Sequence, residues 1–260
     1  IITGMNTNGI LIKKRISEIK NLDSICISID GDEKENNLNR GEGTFSKIIE
    51  GIICAVENKM VVHTNTVITK NNINCIDFIL NLAKKYNLKS QFHLPFEESV
   101  YSKDEARETV LLNDNDIKFI LKKIIEYKKN GEKVQFSLES HKYALNWPFS
   151  YRKKLLFDGE PIPNGFKMLP CYAGKLMCFI DADGAVYPCS QLIGNFPGLK
   201  IQEVGLKKAF DNLKQNKCRF CYFICHLDLN YIFGLNFKVI VNHCCPNYGH
   251  CEPRKGEAIL

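Results

Sequence analysis

Nine of the twelve cysteines lie after residue 170, and their spacing is the part of this sequence that could do chemistry. Cys171 is followed by twelve residues, Gly184, four residues and Cys189; Cys218, Cys221 and Cys225 follow as a C-x2-C-x3-C run. Four soft thiolates are what a structural zinc or a [4Fe-4S] cluster requires. A hairpin with strands over Met177–Ile180 and Ala185–Tyr187, turning at Asp181-Ala182-Asp183-Gly184, would bring Cys171 and Cys189 to one end. The Cys218–Cys221 turn would supply the other two ligands. Burial as small apolar side chains suits Cys26, Cys54 and Cys75, which sit singly in apolar runs. It suits Cys218 and Cys221 poorly, because Lys217 and Arg219 flank them. Zinc ribbons offer two short C-x2-C knuckles where this chain offers one, which favours iron–sulfur. Cys225 could replace one of the four, and Cys178 could pack or ligate. Cys244, Cys245 and Cys251, with His243 and His250, form a terminal group that could bind a second metal.

A second set of candidates closes successive apolar runs: Thr7-Asn8-Gly9, Ser28-Ile29-Asp30-Gly31, Thr64-Asn65-Thr66 and His93-Leu94-Pro95. In parallel α/β folds ligands bind at the carboxyl ends of the strands, so these residues on one rim would form a polar site. The positioning elements follow from periodicity. Strands are predicted over Ile25–Ile29, Met60–Ile68, Leu88–Leu94 and Lys133–Leu138, and Ile1–Gly4 reads as a strand already under way. Helices are predicted over Phe45–Asn58 capped by Thr44, over Ile73–Tyr86 capped by Asn72, and over Ile117–Lys129 after Asp114, closed by Gly131. The polar Gly31–Gly43 stretch reads as a loop and Glu97–Asn113 as a polar linker. This alternation predicts a parallel sheet with covering helices, open or barrel-like, over residues 1–146. A proline-bearing connector (147–170), a small Cys-rich unit (171–242, with a helix over Leu206–Gln215) and a Cys/His tail (243–260) complete the expected organisation.

Composition narrows the class. The 260 residues are 45% apolar, enough for a sizeable core, yet no run of about 18 apolar residues suggests a membrane span. The net charge of +6 comes from lysines spread over helical faces, without the basic–aromatic interleaving of a nucleic-acid groove. No basic leader with a cleavage site opens the sequence, so the cysteines are expected to be reduced and metal-binding. P-loop, serine-hydrolase, zincin and Rossmann fingerprints are absent; Gly41-Glu42-Gly43 precedes a helix but lacks the third glycine.

These residues resemble the radical S-adenosylmethionine (SAM) enzyme family with a C-terminal SPASM/twitch auxiliary-cluster domain. TNGILI (7–12), ICISIDG (25–31) with GEGTFSKIIEGI (41–52), and VVHTNTVITKNNI (61–73) resemble the family's third, fourth and fifth strands. CYAGKLMCFIDADGAVYPC (171–189) fits the opening of the auxiliary motif, and Cys218-x2-Cys221 continues it. The resemblance implies a partial (β/α)6 TIM-like barrel of about four βα units. It implies Ser28 and Asp30 facing the ribose and amino-acid moiety of SAM, Asn8 and Thr66 on the same rim, and His93 as a further candidate. It implies an auxiliary [4Fe-4S] cluster at Cys171, Cys189, Cys218 and Cys221. It further implies a peptide or protein substrate, a reductant such as flavodoxin or ferredoxin, and a reducing cytoplasm. The family's C-x3-C-x2-C, which holds the SAM-cleaving second [4Fe-4S] cluster, is absent, as is its G-G-E-P turn. The expectation is therefore an enzyme lacking its first two βα units and inactive alone. The alternative expectation is a non-catalytic peptide-binding module with a structural zinc or iron–sulfur site.

Overall fold

The structure is a computed structural model that describes residues 1–95 and 110–244, and only the backbone of 242–244. Its centre is a parallel sheet of β1 (Gly4–Thr7), β2 (Ser24–Ser28), β3 (Val61–Val67) and β4 (Lys89–His93), side by side in chain order. The crossovers contain α1 (Ile12–Ile19), α2 (Glu33–Arg40) with α3 (Thr44–Glu57), and α4 (Ile76–Tyr86); α5 (Asp114–Lys129) follows the sheet. Side chains alternate across a strand. Ile25, Ile27, Ile29, Val62, Ile68 and Phe92 thus enter the main core with Ile48, Ile52, Ile76, Ile79, Ile120 and Ile124 from the helices. The opposite face carries Ser28, His63, Asn65, Lys89, Gln91 and His93, all only partly buried. The expected α/β architecture of four βα units is present. Close packing depends on two glycines: a Cβ on Gly51 of α3 would lie 2.5 Å from the Gly9 carbonyl oxygen.

Several boundaries differ from the sequence prediction. The Gly31–Gly43 stretch holds a helix, because Asp32 and Glu35 form a capping box: Glu35 N–H donates to Asp32 at 2.9 Å and Asp32 N–H to Glu35 at 3.2 Å. Thr44 is not the cap of α3. Gly43, left-handed at φ 70°, takes that place, and the Thr44 hydroxyl donates to the Gly41 carbonyl at 2.7 Å. Asn72 does not cap α4, which starts at Ile76; its side chain accepts the Thr69 N–H at 2.7 Å and closes a short turn. β1 starts at Gly4 rather than Ile1. The predicted Lys133–Leu138 strand shrinks to a Ser90–Val134 bridge, since Phe136 turns the chain at φ 64° and Ser137 caps α6 (Leu138–Leu145). The expected Glu97–Asn113 linker falls largely outside the described residues.

The C-terminal half is less separate than the expected domain limits. β5 (Leu155–Phe157) lies inside the expected connector and pairs antiparallel with β9 (Cys218–Cys221). The predicted hairpin forms as β6 (Phe179–Ile180) and β7 (Ala185–Tyr187), and β8 (Leu199–Lys200) joins it. Next come α7 (Ile201–Val204) and α8 (Leu206–Asn212), which ends earlier than the predicted Leu206–Gln215 helix because Leu213–Gln215 tightens into a 3-10 turn; α9 (Ile224–Phe233) and α10 (Phe237–Cys244) had no sequence prediction. A small second core gathers Leu155, Val186, Cys189, Leu192, Leu213 and Cys221. Trp147, Tyr151, Leu156, Phe220, Tyr222 and Ile224 belong to the main core instead. Among the described residues no helix is long and apolar enough to cross a membrane.

Candidate iron–sulfur centre and sheet rim

Three separate segments deliver the four cysteines. Cys171 precedes Tyr172, whose N–H is held by Asn230 of α9 at 2.9 Å. Cys189 follows β7, whose turn is closed by Gly184 N–H to Asp181 carbonyl and Ala185 N–H to Asp183 carboxylate, at 2.9 and 3.0 Å. Gly184 sits at φ 81°, and a Cβ there would meet Gln202 at 2.3 Å, so the turn requires glycine. Cys218 and Cys221 are the ends of β9. Cys189 and Cys221 are buried, while Cys171 and Cys218 line an open cleft of about 520 Å³.

The four thiols lie within electrostatic reach of one another in every pairing. Burial, then the neighbouring Cys171 and Cys189, push Cys218 up to about 12. Burial pushes Cys189 up to about 11, with Cys171 and Cys225 adding to it. Cys221 is raised by burial and by Cys171, Cys189 and Cys218 together. Cys189, Cys218 and Cys221 are thereby held as neutral thiols at pH 7, and a bound cation would favour their ionisation. Among the described residues no group of three His, Cys, Asp or Glu side chains closes around one metal ion. A four-iron cluster spreads its ligands over four irons, and four thiols are the donor set it would take. Cys225, in the first turn of α9, lies in the same small core and contributes to the raised Cys189 thiol. Cys178 is exposed. Cys245, His250 and Cys251 lie outside the described residues, and of His243 and Cys244 only the backbone is described.

The rim residues have divergent fates. Asn8 is exposed and accepts the Ile10 N–H at 3.2 Å. Ser28 sits at the carboxyl end of β2, half-buried, opposite Asn65. Asp30 is buried and committed to the fold: Arg40 pairs with it at 2.9 Å and the Val67 N–H donates to it at 3.1 Å. Thr66 departs from its expected place on the rim. It points to the helix side, fully buried, and donates to the Ile29 carbonyl at 2.6 Å. The rim-facing residue of that strand is Asn65, legible from the two-residue period but not singled out. His93 is partly enclosed, its ring edge-on to Phe136 and its Nε2 3.3 Å from Gln91 Oε1. The amide oxygen can only accept, so Nε2 carries the proton. Burial, then the His226 ring, push His93 down to about 4.

Sequence reasoning also missed the extent of the polar face of the sheet. His63 Nδ1, Asn65 Oδ1 and Gln135 Oε1 are shielded from solvent and have no hydrogen-bond partner among the described residues. Unsatisfied buried polar atoms cost about 1–3 kcal/mol each, a cost a bound ligand would relieve. A second unforeseen hub is Asp228 of α9, which accepts Ser137 N–H and the Ser137 and Ser140 hydroxyls at 2.8, 2.5 and 2.6 Å.

No family model matches the chain. An AdoMet-dependent heme synthase of Methanosarcina barkeri is 26% identical over 193 residues, covering 72% of this chain and 54% of that protein. The chain thus spans about half the length of this curated relative. The solved structure of anSMEcpe with bound AdoMet superposes with a TM-score of 0.59 at 17% identity, over 92% of this chain and 74% of that one. SuiB of Streptococcus suis superposes with a TM-score of 0.59 at 19% identity, over 83% of this chain and 49% of its own. The chain is thus similar in sequence to an AdoMet-dependent heme synthase and in fold to two proteins whose structures have been solved with AdoMet bound. Both structural neighbours have also been solved with peptides, Kp18Cys for anSMEcpe and the precursor SuiA for SuiB. In this chain the carboxyl-end rim and the thiol quartet are joined by α9, which carries Cys225, His226 and Asp228.

Proposed function

We propose that this chain is part of a radical SAM enzyme that modifies a peptide or protein and holds an auxiliary [4Fe-4S] cluster. The observation that carries the reading is the convergence of Cys171, Cys189, Cys218 and Cys221 from three segments, beside a parallel sheet of this family's fold. Cys171, Cys189, Cys218 and Cys221 would be the cluster's ligands. When bound, that cluster would supply one-electron chemistry, and SAM with its own cluster would supply hydrogen abstraction. Asn8 and Ser28 are offered as SAM contacts at the carboxyl ends of β1 and β2. Asp30 would act by fixing Arg40 and the end of β3. Asn65, Gln91 and Gln135 would give a peptide hydrogen-bonding partners on the polar face of the sheet. The peptide-bound forms of anSMEcpe and SuiB support that substrate class. Such chemistry calls for a one-electron reductant of the flavodoxin or ferredoxin type and a reducing cytoplasm.

Anaerobic reconstitution with iron and sulfide tests this, read by metal and labile-sulfide content and by EPR of the reduced sample. Close to four irons and four sulfides per chain are expected, lost in a Cys189→Ala/Cys221→Ala variant. One tightly held zinc without sulfide uptake would sink the reading and leave a zinc-stapled peptide-binding module. The sequence contains no C-x3-C-x2-C, so the isolated chain with dithionite and SAM should release no 5′-deoxyadenosine. Detecting it would overturn the expectation that this chain cannot cleave SAM by itself.

A further inference from the structure

The polar face of the sheet carries positive charge that the proposed function leaves unused. The register of β3 and β4 sets His63 beside Lys89 and Asn65 beside Gln91. The Ser90–Val134 bridge adds a short segment beside β4, and side chains alternate, so Lys133 and Gln135 continue these two rows. One row is therefore basic, the next is made of amides, and neither contains a carboxylate. Lys89 is half-buried and makes no ion pair among the described residues; burial, then Lys133, hold it below the usual lysine range. His63 is lowered by burial and then by Lys89. Lys133 donates to the side-chain oxygen of Asn87, a neutral partner. The nearby carboxylates are engaged elsewhere: Asp30 with Arg40, Glu139 with Lys238 at 2.8 Å, and Asp228 with Ser137 and Ser140. Lys128, the next cation, has Asp228 and Glu139 to offset it. Lys89 and Lys133 have no such offset, and like charges in a partly dry site disfavour each other until an anion joins them.

The amide row asks for a different group. Asn65 Oδ1 and Gln135 Oε1 are shielded acceptors without a donor among the described residues. A carboxylate has no proton to give them at neutral pH, whereas a peptide N–H does. Residues two apart on a strand lie about 6.6 Å apart, a separation that a glutamate side chain bridges from its own N–H to its carboxylate. We propose that Lys89, Lys133 and His63 receive the carboxylate of an acidic side chain in a peptide substrate, while Asn65 and Gln135 accept its backbone N–H groups. The inference rests on the reading that this chain acts on a peptide, and adds that the peptide carries a glutamate or aspartate. The basic row lies on the amino-end side of Ser28, so the carboxylate enters deeper than the SAM contacts offered above.

The test uses the full chain and two blocked tripeptides, acetyl-Gly-Glu-Gly-amide and acetyl-Gly-Gln-Gly-amide, followed by NMR of the His63 ring and of the Asn65 and Gln135 side-chain amides. The glutamate peptide should bind at least about tenfold more tightly, and the difference should shrink with added salt. In Lys89→Gln the preference should vanish while binding of the glutamine peptide stays unchanged. Lys133→Gln, at an exposed position, should reduce the preference part-way, and Lys47→Gln on α3 should behave as the parent. Equal binding of the two peptides, with shifts at Asn65 and Gln135, would leave a peptide on this face and refute its acidic character alone. No shift from either peptide would refute the placement of a peptide here, and the preference with it. A preference that survives in Lys89→Gln and Lys133→Gln combined would place the carboxylate elsewhere and overturn the proposal. Displacement of the glutamate peptide by SAM alone would assign the basic row to the SAM carboxylate, with the same consequence.

Discussion

Among single residues, the five neighbouring cysteines separate by how they couple. Cys171, Cys189, Cys218 and Cys221 all act on one another, whereas the contribution of Cys225 falls on Cys189. Cys225→Ser should therefore retain full iron and sulfide, while Cys221→Ala should lose most of both; equal losses in metal analysis would refute the distinction. The nearness of these four cysteines could be expected from sequence, because a turn between Cys171 and Cys189 and the two-residue gap from Cys218 to Cys221 bring thiols together. The choice among the five could not, since it depends on which thiols the fold brings within reach. His141 gives a pH prediction. It is buried, its Nδ1 donates to the Ser137 carbonyl at 2.7 Å, and burial pushes it down to about 4. The unfolded chain takes up this proton near pH 6.5 and the folded chain only near 4, so stability falls as pH drops through that window. The loss amounts to about 3 kcal/mol for one such histidine. Urea unfolding at pH 7 and pH 4.5 should show this decline, and His141→Gln should remove part of it. An unchanged slope in the variant would refute the assignment.

Elements tell a second story about legibility. The strands were readable where apolar runs end in turn residues, as at Ile25–Ile29 and Met60–Ile68. α2 was not, because only Leu38 is apolar in Glu33–Arg40 and its start depends on the Asp32–Glu35 box. The strand predicted at Lys133–Leu138 failed for a tertiary reason. Asp228, far along the chain, captures the Ser137 N–H and both nearby hydroxyls and turns the backbone into α6. Helix α3 offers a sharper test of packing. It approaches the turn between β1 and α1 so closely that Gly51→Ala would drive a methyl to 2.5 Å from the Gly9 carbonyl oxygen. Backbone cannot yield as a side chain can, so a loss of about 1–3 kcal/mol is expected on thermal or chemical unfolding. Asp32→Ala should cost about 1 kcal/mol through the lost cap. A neutral Gly51→Ala would mean that α3 sits further from the sheet than described here.

Across the whole molecule, the ribbon of β5 and β9 is what makes one unit of two cores. Neighbouring side chains on a strand point to opposite faces, so Leu155 and Cys221 enter the small core while Leu156 and Phe220 enter the large one. α9 repeats the connection: it starts beside the thiol quartet and ends by clamping Ser137 and Ser140 through Asp228. Ligation at Cys218 and Cys221 would fix both ends of β9, and through it the elements that hold the sheet rim. Binding confined to the folded state stabilises whatever unfolds together with the site. Loading the cluster should therefore slow amide hydrogen exchange in β5, β9, α9 and the Phe136–Ser140 turn as well as in the β6–β8 hairpin. Asp228→Ala should break this transmission: the turn would exchange fast whether or not the cluster is present, while the hairpin would still respond. Protection gained in the hairpin alone in the parent protein would mean that the two cores unfold separately, and that the shared ribbon couples neither stability nor chemistry.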